Sequence, residues 1–220
     1  MSAVRCLRGA AGALALAATL PVLSALPASA SADCARAPLP AAAYRTIPAV
    51  DPDQDLFNRA IVSEVNYYRC TAGLKPLRLA DGLARVASTH ARWMAEAGKL
   101  SHRSTVPGLS SVQERVLASG LTVRLGSENI GYLPRYRFGD SRKIRIRDKA
   151  RCEFTTAGGR RIAPHSYASL AADIVKLWMR SPAHRQNLLD RRVRVVGAAL
   201  DFDPQGIQCG QFYMAQNFAG

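Results

Sequence analysis

Two apolar runs close the chain, VRVVGAALDF (193–202) and QFYMAQNF (211–218), on either side of Asp203-Pro204-Gln205-Gly206. Proline and glycine stand where a tight turn wants them, so two strands joined by that turn are expected. Most of what precedes them carries helical spacing. A first helix is expected from Asp55 to Cys70, with Phe57, Ala60, Ile61, Val65 and Tyr68 on one face and Gly73 as its stop. LKPLRL is a short extended link. Asp81 then caps a second helix that buries Leu83, Val86, Ala87, His90, Met94 and Ala97 and ends at Gly98. SSVQERVLASG (110–120) reads as a short third helix and RLGSENIGYL (124–133) as a strand. A fourth helix, Ser166 to Arg180, carries Tyr167, Leu170, Ala171, Ile174, Leu177 and Trp178 on one side. Helices before and between a few mostly terminal strands make an α+β sandwich.

The stretch WMRSPAHRQNLLD (178–190) stops one helix and restarts another. Ser181 can cap the new helix through its hydroxyl, and Pro182 suits the first helical position, where a missing N–H costs nothing. The restart holds His184 near the joint.

Residues 1–32 read as a secretory signal peptide: Arg5 and Arg8, the apolar run GALALAATLPVL, then ASASA with small residues for cleavage. An exported product, extracellular or periplasmic and without a membrane helix, is expected. The leader takes Cys6 and leaves Cys34, Cys70, Cys152 and Cys209, enough for two disulfides in three possible pairings. Residues 33–54, rich in Pro and Ala, read as an extended arm with no element of its own to anchor it. A bridge from Cys34 to Cys70 at the end of the first helix would tie it down, and Cys152 to Cys209 would tether a polar insertion. The rival pairing is Cys34 with Cys152 and Cys70 with Cys209. The cysteines lack the close paired spacing of a zinc site. About 190 mature residues suffice for one domain, 55–220, with a proper core.

Charge is uneven. Of the net +14, half lies in Arg135 to Arg161, with ten Lys/Arg against three acids. This basic insertion, at about 134–165, includes Lys143-Ile144-Arg145-Ile146-Arg147, which alternates as an exposed strand would. Export argues against nucleic acid as the partner and for an anionic envelope polymer or lipid surface.

No metalloprotease, nucleophile-elbow, phosphate-loop or dinucleotide signature is present. The candidates are His102 in a polar loop after the second helix, Glu128 inside an otherwise apolar strand where an unpaired carboxylate is costly, and His184. His90 lies on an apolar helix face and reads as a core histidine; His165, beside the basic segment, reads as exposed.

EVNYYRCTAGLKPLRL, ASTHARWMAEAGKLSHRS, GSENIGY, WMRSPAHRQNLLD and VVGAALDF with QFYMAQNF occur in the order seen in the CAP superfamily, which takes in cysteine-rich secretory, antigen-five and plant pathogenesis-related proteins. Over about residues 56–134 and 166–219 the chain resembles its short bacterial extracellular branch. The resemblance implies a three-layer α-β-α sandwich with a small, mostly antiparallel sheet, and an open cleft lined by two histidines and two acids. His102, Glu128 and His184 match three of those positions. At the fourth, a glutamate three residues after the tryptophan, this chain has Ser181.

Two neutral imidazoles and a carboxylate suit a divalent ion such as zinc, with His102, His184 and Glu128 as ligands, Ser181 lining the cleft and one position open. The same residues could instead form a polar cluster tying helices to sheet. The expected function is a secreted, non-enzymatic binding module for a metal or a small lipid or peptide ligand. The alternative is a metal-assisted hydrolase of peptide or cell-wall material using His102, Glu128 and His184. A serine-protease reading lacks a hydroxyl placed beside its base.

Overall fold

A computed structural model describes residues 34–139 and 143–220; the expected signal peptide lies outside the described residues. Its frame is a four-stranded sheet in the order β1-β5-β6-β2. Here β1 is Arg78–Leu79, β2 Gly126–Pro134, β5 Val195–Asp203 and β6 Gln211–Ala219. The β1–β5 pair is parallel and the others antiparallel.

Side chains alternate across β5 and β6, as a strand requires. Val196, Ala198, Leu200, Phe212, Met214 and Phe218 join a core with α1 (Gln54–Thr71), α4 (Tyr167–Arg180) and α5 (Pro182–Leu188). Ala199, Tyr213 and Ala215 face α2 (Asp81–Ala97). Farther along that face Ala219 meets Leu83 of α2 and Val116 of α3 (Val112–Ala118). With helices on both faces, the architecture is the expected α-β-α sandwich. The central strands turn apolar side chains to both faces because both are covered, with Gln216 and Asn217 as buried polar residues on β6. Gly197 sits where α2 presses on the sheet: a Cβ there would lie 2.2 Å from the Ala84 nitrogen.

Several local expectations are corrected. Asp81 is the first residue of α2, with Ala80 as its N-cap and no side-chain cap bond. Ser181 occupies the N-cap of α5 but its hydroxyl makes no cap bond. The two helices share this residue: its N–H donates to Leu177 and Trp178 carbonyls of α4 while its carbonyl accepts from Arg185 in α5. The backbone, with Pro182 behind it, makes the joint. The arm is not featureless. Ala41–Tyr44 form a 3-10 turn, Thr46 bridges Ser166, and Ala43 and Ile47 enter the core. Those two apolar side chains anchor it alongside the disulfide from Cys34 to Cys70.

The basic insertion folds as a separate hairpin, β3 (Ile144–Asp148) against β4 (Glu153–Thr156). It has an apolar heart: the Phe154 ring lies 4.9 Å from Tyr136 and 5.2 Å from Phe138. Cys152 bonds Cys209, joining the hairpin to the loop before β6. His165, expected to be exposed, is buried, because its N–H donates to Arg135 O, its carbonyl accepts from Ile47, and its Nδ1 pairs with the Ser169 hydroxyl. Leu177, expected on the packed side of α4, is 44% exposed beside this hairpin.

Candidate functional site

Glu128 is the hub. It sits on β2 facing α2 and α3, wholly buried. Arg115 of α3 donates from Nε to Oε2 at 2.8 Å and from Nη2 to Oε1 at 2.7 Å. Asn217 on the neighbouring strand donates to Oε2 at 3.0 Å. His102 Nδ1 meets Oε1 at 2.8 Å. Burial alone would raise the Glu128 pKa. Hydrogen bonds from His102 and Arg115, with the charge of Arg115, outweigh it and hold the carboxyl below its ordinary value.

Arg115 positions His102 twice over. Its Nη2 also donates to the His102 carbonyl at 2.7 Å, and Nη1 to Leu109 O at 2.8 Å. The short helix carrying it is held by a capping box between Ser111 and Glu114. His90, buried in α2, supports the same loop by pairing Nε2 with Ser101 O at 2.9 Å, while that nitrogen lies 3.8 Å from Glu128 Oε1. The core placement expected for His90 is therefore the observed one. Burial pushes its pKa down to about 4, as does Arg115, against the opposing charge of Glu128.

A neutral His102 donates its Nδ1 proton to the carboxylate, so Nε2 carries the lone pair. The side chain is 49% exposed. His184 approaches from α5, on the other side of edge strand β2. Its carbonyl accepts from Asn129 Nδ2 at 3.2 Å, and Asn187, one turn on, donates to Glu128 O at 3.2 Å. Burial lowers the His184 pKa, and protonation of nearby His102 would add to that.

His102 and Glu128 are thus in contact, and α5 is tied to the residues at and beside Glu128. Ser181 stands at the α4–α5 joint, partly buried. The carboxylate expected as a metal ligand has both oxygens taken by Arg115, His102 and Asn217. Among the described residues, no three His, Cys, Asp or Glu side chains are grouped to hold a metal. The residues missed from sequence are Arg115, Asn129, Asn187 and Asn217. A signal for Arg115 existed: a buried carboxylate needs a cation, and Arg115 stands beside Val112 and Val116 on the inner side of α3.

The joint also protects the sheet edge. Trp178 Nε1 donates to Ile130 O at 3.0 Å, and Asn187 to Glu128 O two residues away. Two outward carbonyls of the edge strand are thereby satisfied by side chains on either side of Ser181-Pro182. Gly131 makes room, since a Cβ there would lie 2.7 Å from Ile174 Cδ1 and 3.3 Å from Trp178 Nε1.

The model of the CAP (cysteine-rich secretory protein) family matches residues 62–218, and the chain belongs to that family. A solved extracellular protein with an SCP domain from Bacillus anthracis is similar at 22% identity and TM-score 0.49, over 76% of this chain and 41% of that one. An outer surface protein from Borrelia burgdorferi gives 14% and 0.49, over 76% and 95%. A cysteine-rich secretory protein from Staphylococcus aureus gives 16% and 0.46, over 78% and 40%. The chain spans less than half of the Bacillus and Staphylococcus proteins. No curated protein matches it. Among the described residues no helix is long and apolar enough to cross a membrane.

Proposed function

We propose that the protein is a secreted, non-enzymatic binding module. The imidazoles of His102 and His184 face the ligand, and Glu128 orients His102 from behind. The observation that carries this reading is the state of Glu128. Its oxygens are occupied by fixed donors, and its pKa lies below the ordinary value. A general base works best with a pKa near the operating pH and a free lone pair aimed at substrate; Glu128 has neither. With serine at the fourth cleft position, no second carboxylate takes over that role there.

Two neutral imidazoles fit a divalent ion such as zinc held weakly, its remaining positions filled by water or by a small lipid or peptide ligand. The basic hairpin faces an anionic envelope polymer or lipid surface. Arg145 and Arg147 are exposed on β3 and free to act through long-range charge.

Zinc titration of the protein by calorimetry tests the cleft. Saturable binding weakened in both His102→Ala and His184→Ala is expected. Turnover of a peptide or cell-wall substrate that both chelation and His184→Ala abolish would replace this reading with hydrolysis. For the hairpin, binding to anionic vesicles should fall with salt and with Arg145→Ser/Arg147→Ser; binding unchanged by either rejects that contact.

A further inference from the structure

The basic hairpin walls a cavity. Between it, the end of β2 and the outward side of α4 lies a space of about 630 Å³, the size of a small-molecule site. Among the described residues five cations line it: Arg137, Arg160, Arg161, Lys176 and Arg180. All are exposed, and none is in an ion pair with another described residue. Asp173 is the one carboxylate among the described lining residues, and it has an interaction of its own. Positive charge is therefore in excess.

Beneath the cations the lining is apolar, with Tyr136, Phe138, Ile162 and Leu177 contributing. The rings are backed by buried Phe154. Leu177, 44% exposed, opens onto this space from the outward side of α4, between Lys176 and Arg180. The wall is held in place by the Cys152–Cys209 bond and by bridges from Tyr136 to Pro164 and Thr155 to Arg161.

We propose that this cavity binds a small amphipathic anion, with its carboxylate or phosphate head among the arginines and its apolar body on Tyr136, Phe138 and Leu177. Guanidinium forks match both head groups in bidentate geometry. Clustered cations with no ion pair among the described residues gain more from one multivalent anion than from dispersed counter-ions. The apolar lining selects against inorganic anions, which would leave it wet. The cavity is distinct from the histidine cleft. Leu133 and Pro134, which line it, lie at the far end of β2 from Glu128, roughly 17 Å along the strand at the usual rise per residue. Leu133 also points to the opposite sheet face. The proposal needs neither metal in the cleft nor an envelope contact.

Calorimetry with decyl phosphate below its micelle-forming concentration, inorganic phosphate and decanol separates head from body. Decyl phosphate should bind one to one, at least about tenfold tighter than either half-ligand, because both burial and charge contribute. Arg160→Ser/Arg161→Ser and Leu177→Glu, all at exposed positions, should each abolish this preference while leaving the melting temperature and zinc titration unchanged. Equal binding of inorganic and decyl phosphate would reduce the site to a plain charge patch and overturn the proposal. Full decyl phosphate affinity in both variants would do the same.

Discussion

The guanidinium of Arg115 grips the carboxylate of Glu128 through two parallel bonds of 2.8 and 2.7 Å, with both side chains wholly removed from solvent. Removing one partner strands the other as a buried, uncompensated charge, which costs about 3–5 kcal/mol. Arg115→Met should therefore be strongly destabilising in urea unfolding. It should also loosen the loop of His102, whose carbonyl Arg115 holds, and hydrogen exchange at Ser101–Arg103 should rise. A loss under about 1 kcal/mol would show that the pair is not the keystone.

Acid should unfold the protein in two stages. His90 and His165 have pKa values lowered to about 4 by burial, against 6.5 for the unfolded chain. Between these values the unfolded state binds more protons, so stability falls as pH falls, by up to about 2.7 kcal/mol per pH unit for two sites. His184, also lowered, acts in the same direction. Glu128 has a depressed pKa too. Its contribution is present above the unfolded carboxyl value and is lost as pH drops through the folded one, so its loss follows that of the histidines. Urea midpoints measured from pH 7 to pH 4 check this. His165→Gln should flatten the slope by one proton, and a level profile between pH 6.5 and 4.5 would contradict it.

Much of the frame was legible because it follows from periodicity and chain-stopping residues. Gly73 and Gly98 both take positive φ where α1 and α2 end. The apolar terminal strands are central and covered on both faces. What escaped was long-range satisfaction of polar groups. Asn187 and Asn217 carry no local mark of their partners, and only the register placing Glu128 opposite Asn217 shows what Asn217 serves. His165 escaped for the same reason, since its partners Arg135, Ile47 and Ser169 come from three separate segments. Leu177 fits the helical period of α4, yet periodicity cannot tell a packed neighbour from a cavity.

The capping of edge strand β2 makes a sharper test of the α4–α5 joint. Trp178→Phe keeps most of the ring but deletes the donor to Ile130 O, leaving a buried carbonyl unpaired at about 1–3 kcal/mol. Gly131→Ala overpacks the same spot and should cost a similar amount. Because both changes act where Trp178 crosses Gly131, the double variant should be destabilised by less than the sum of the singles. Strict additivity in thermal unfolding would mean that the two contacts are independent.

The two disulfides should differ in what they protect. Each closes a loop, with separations of 36 and 57 residues, so the chain-entropy estimate assigns each roughly 4 kcal/mol. That figure applies in full only where the tethered segment unfolds with the domain. The arm behind Cys34 places Ala43 and Ile47 in the main core, so Cys34→Ser/Cys70→Ser should lower global stability by most of it. The hairpin behind Cys152 shares little with that core: its aromatic trio is its own, and β3–β4 form a separate sheet. Cys152→Ser/Cys209→Ser should therefore cost less globally and instead free the hairpin to open locally. Hydrogen exchange over 144–156 should rise while β5 and β6 stay protected. Equal global losses for the two variants, with unchanged exchange in the hairpin, would show that it unfolds as part of the sandwich.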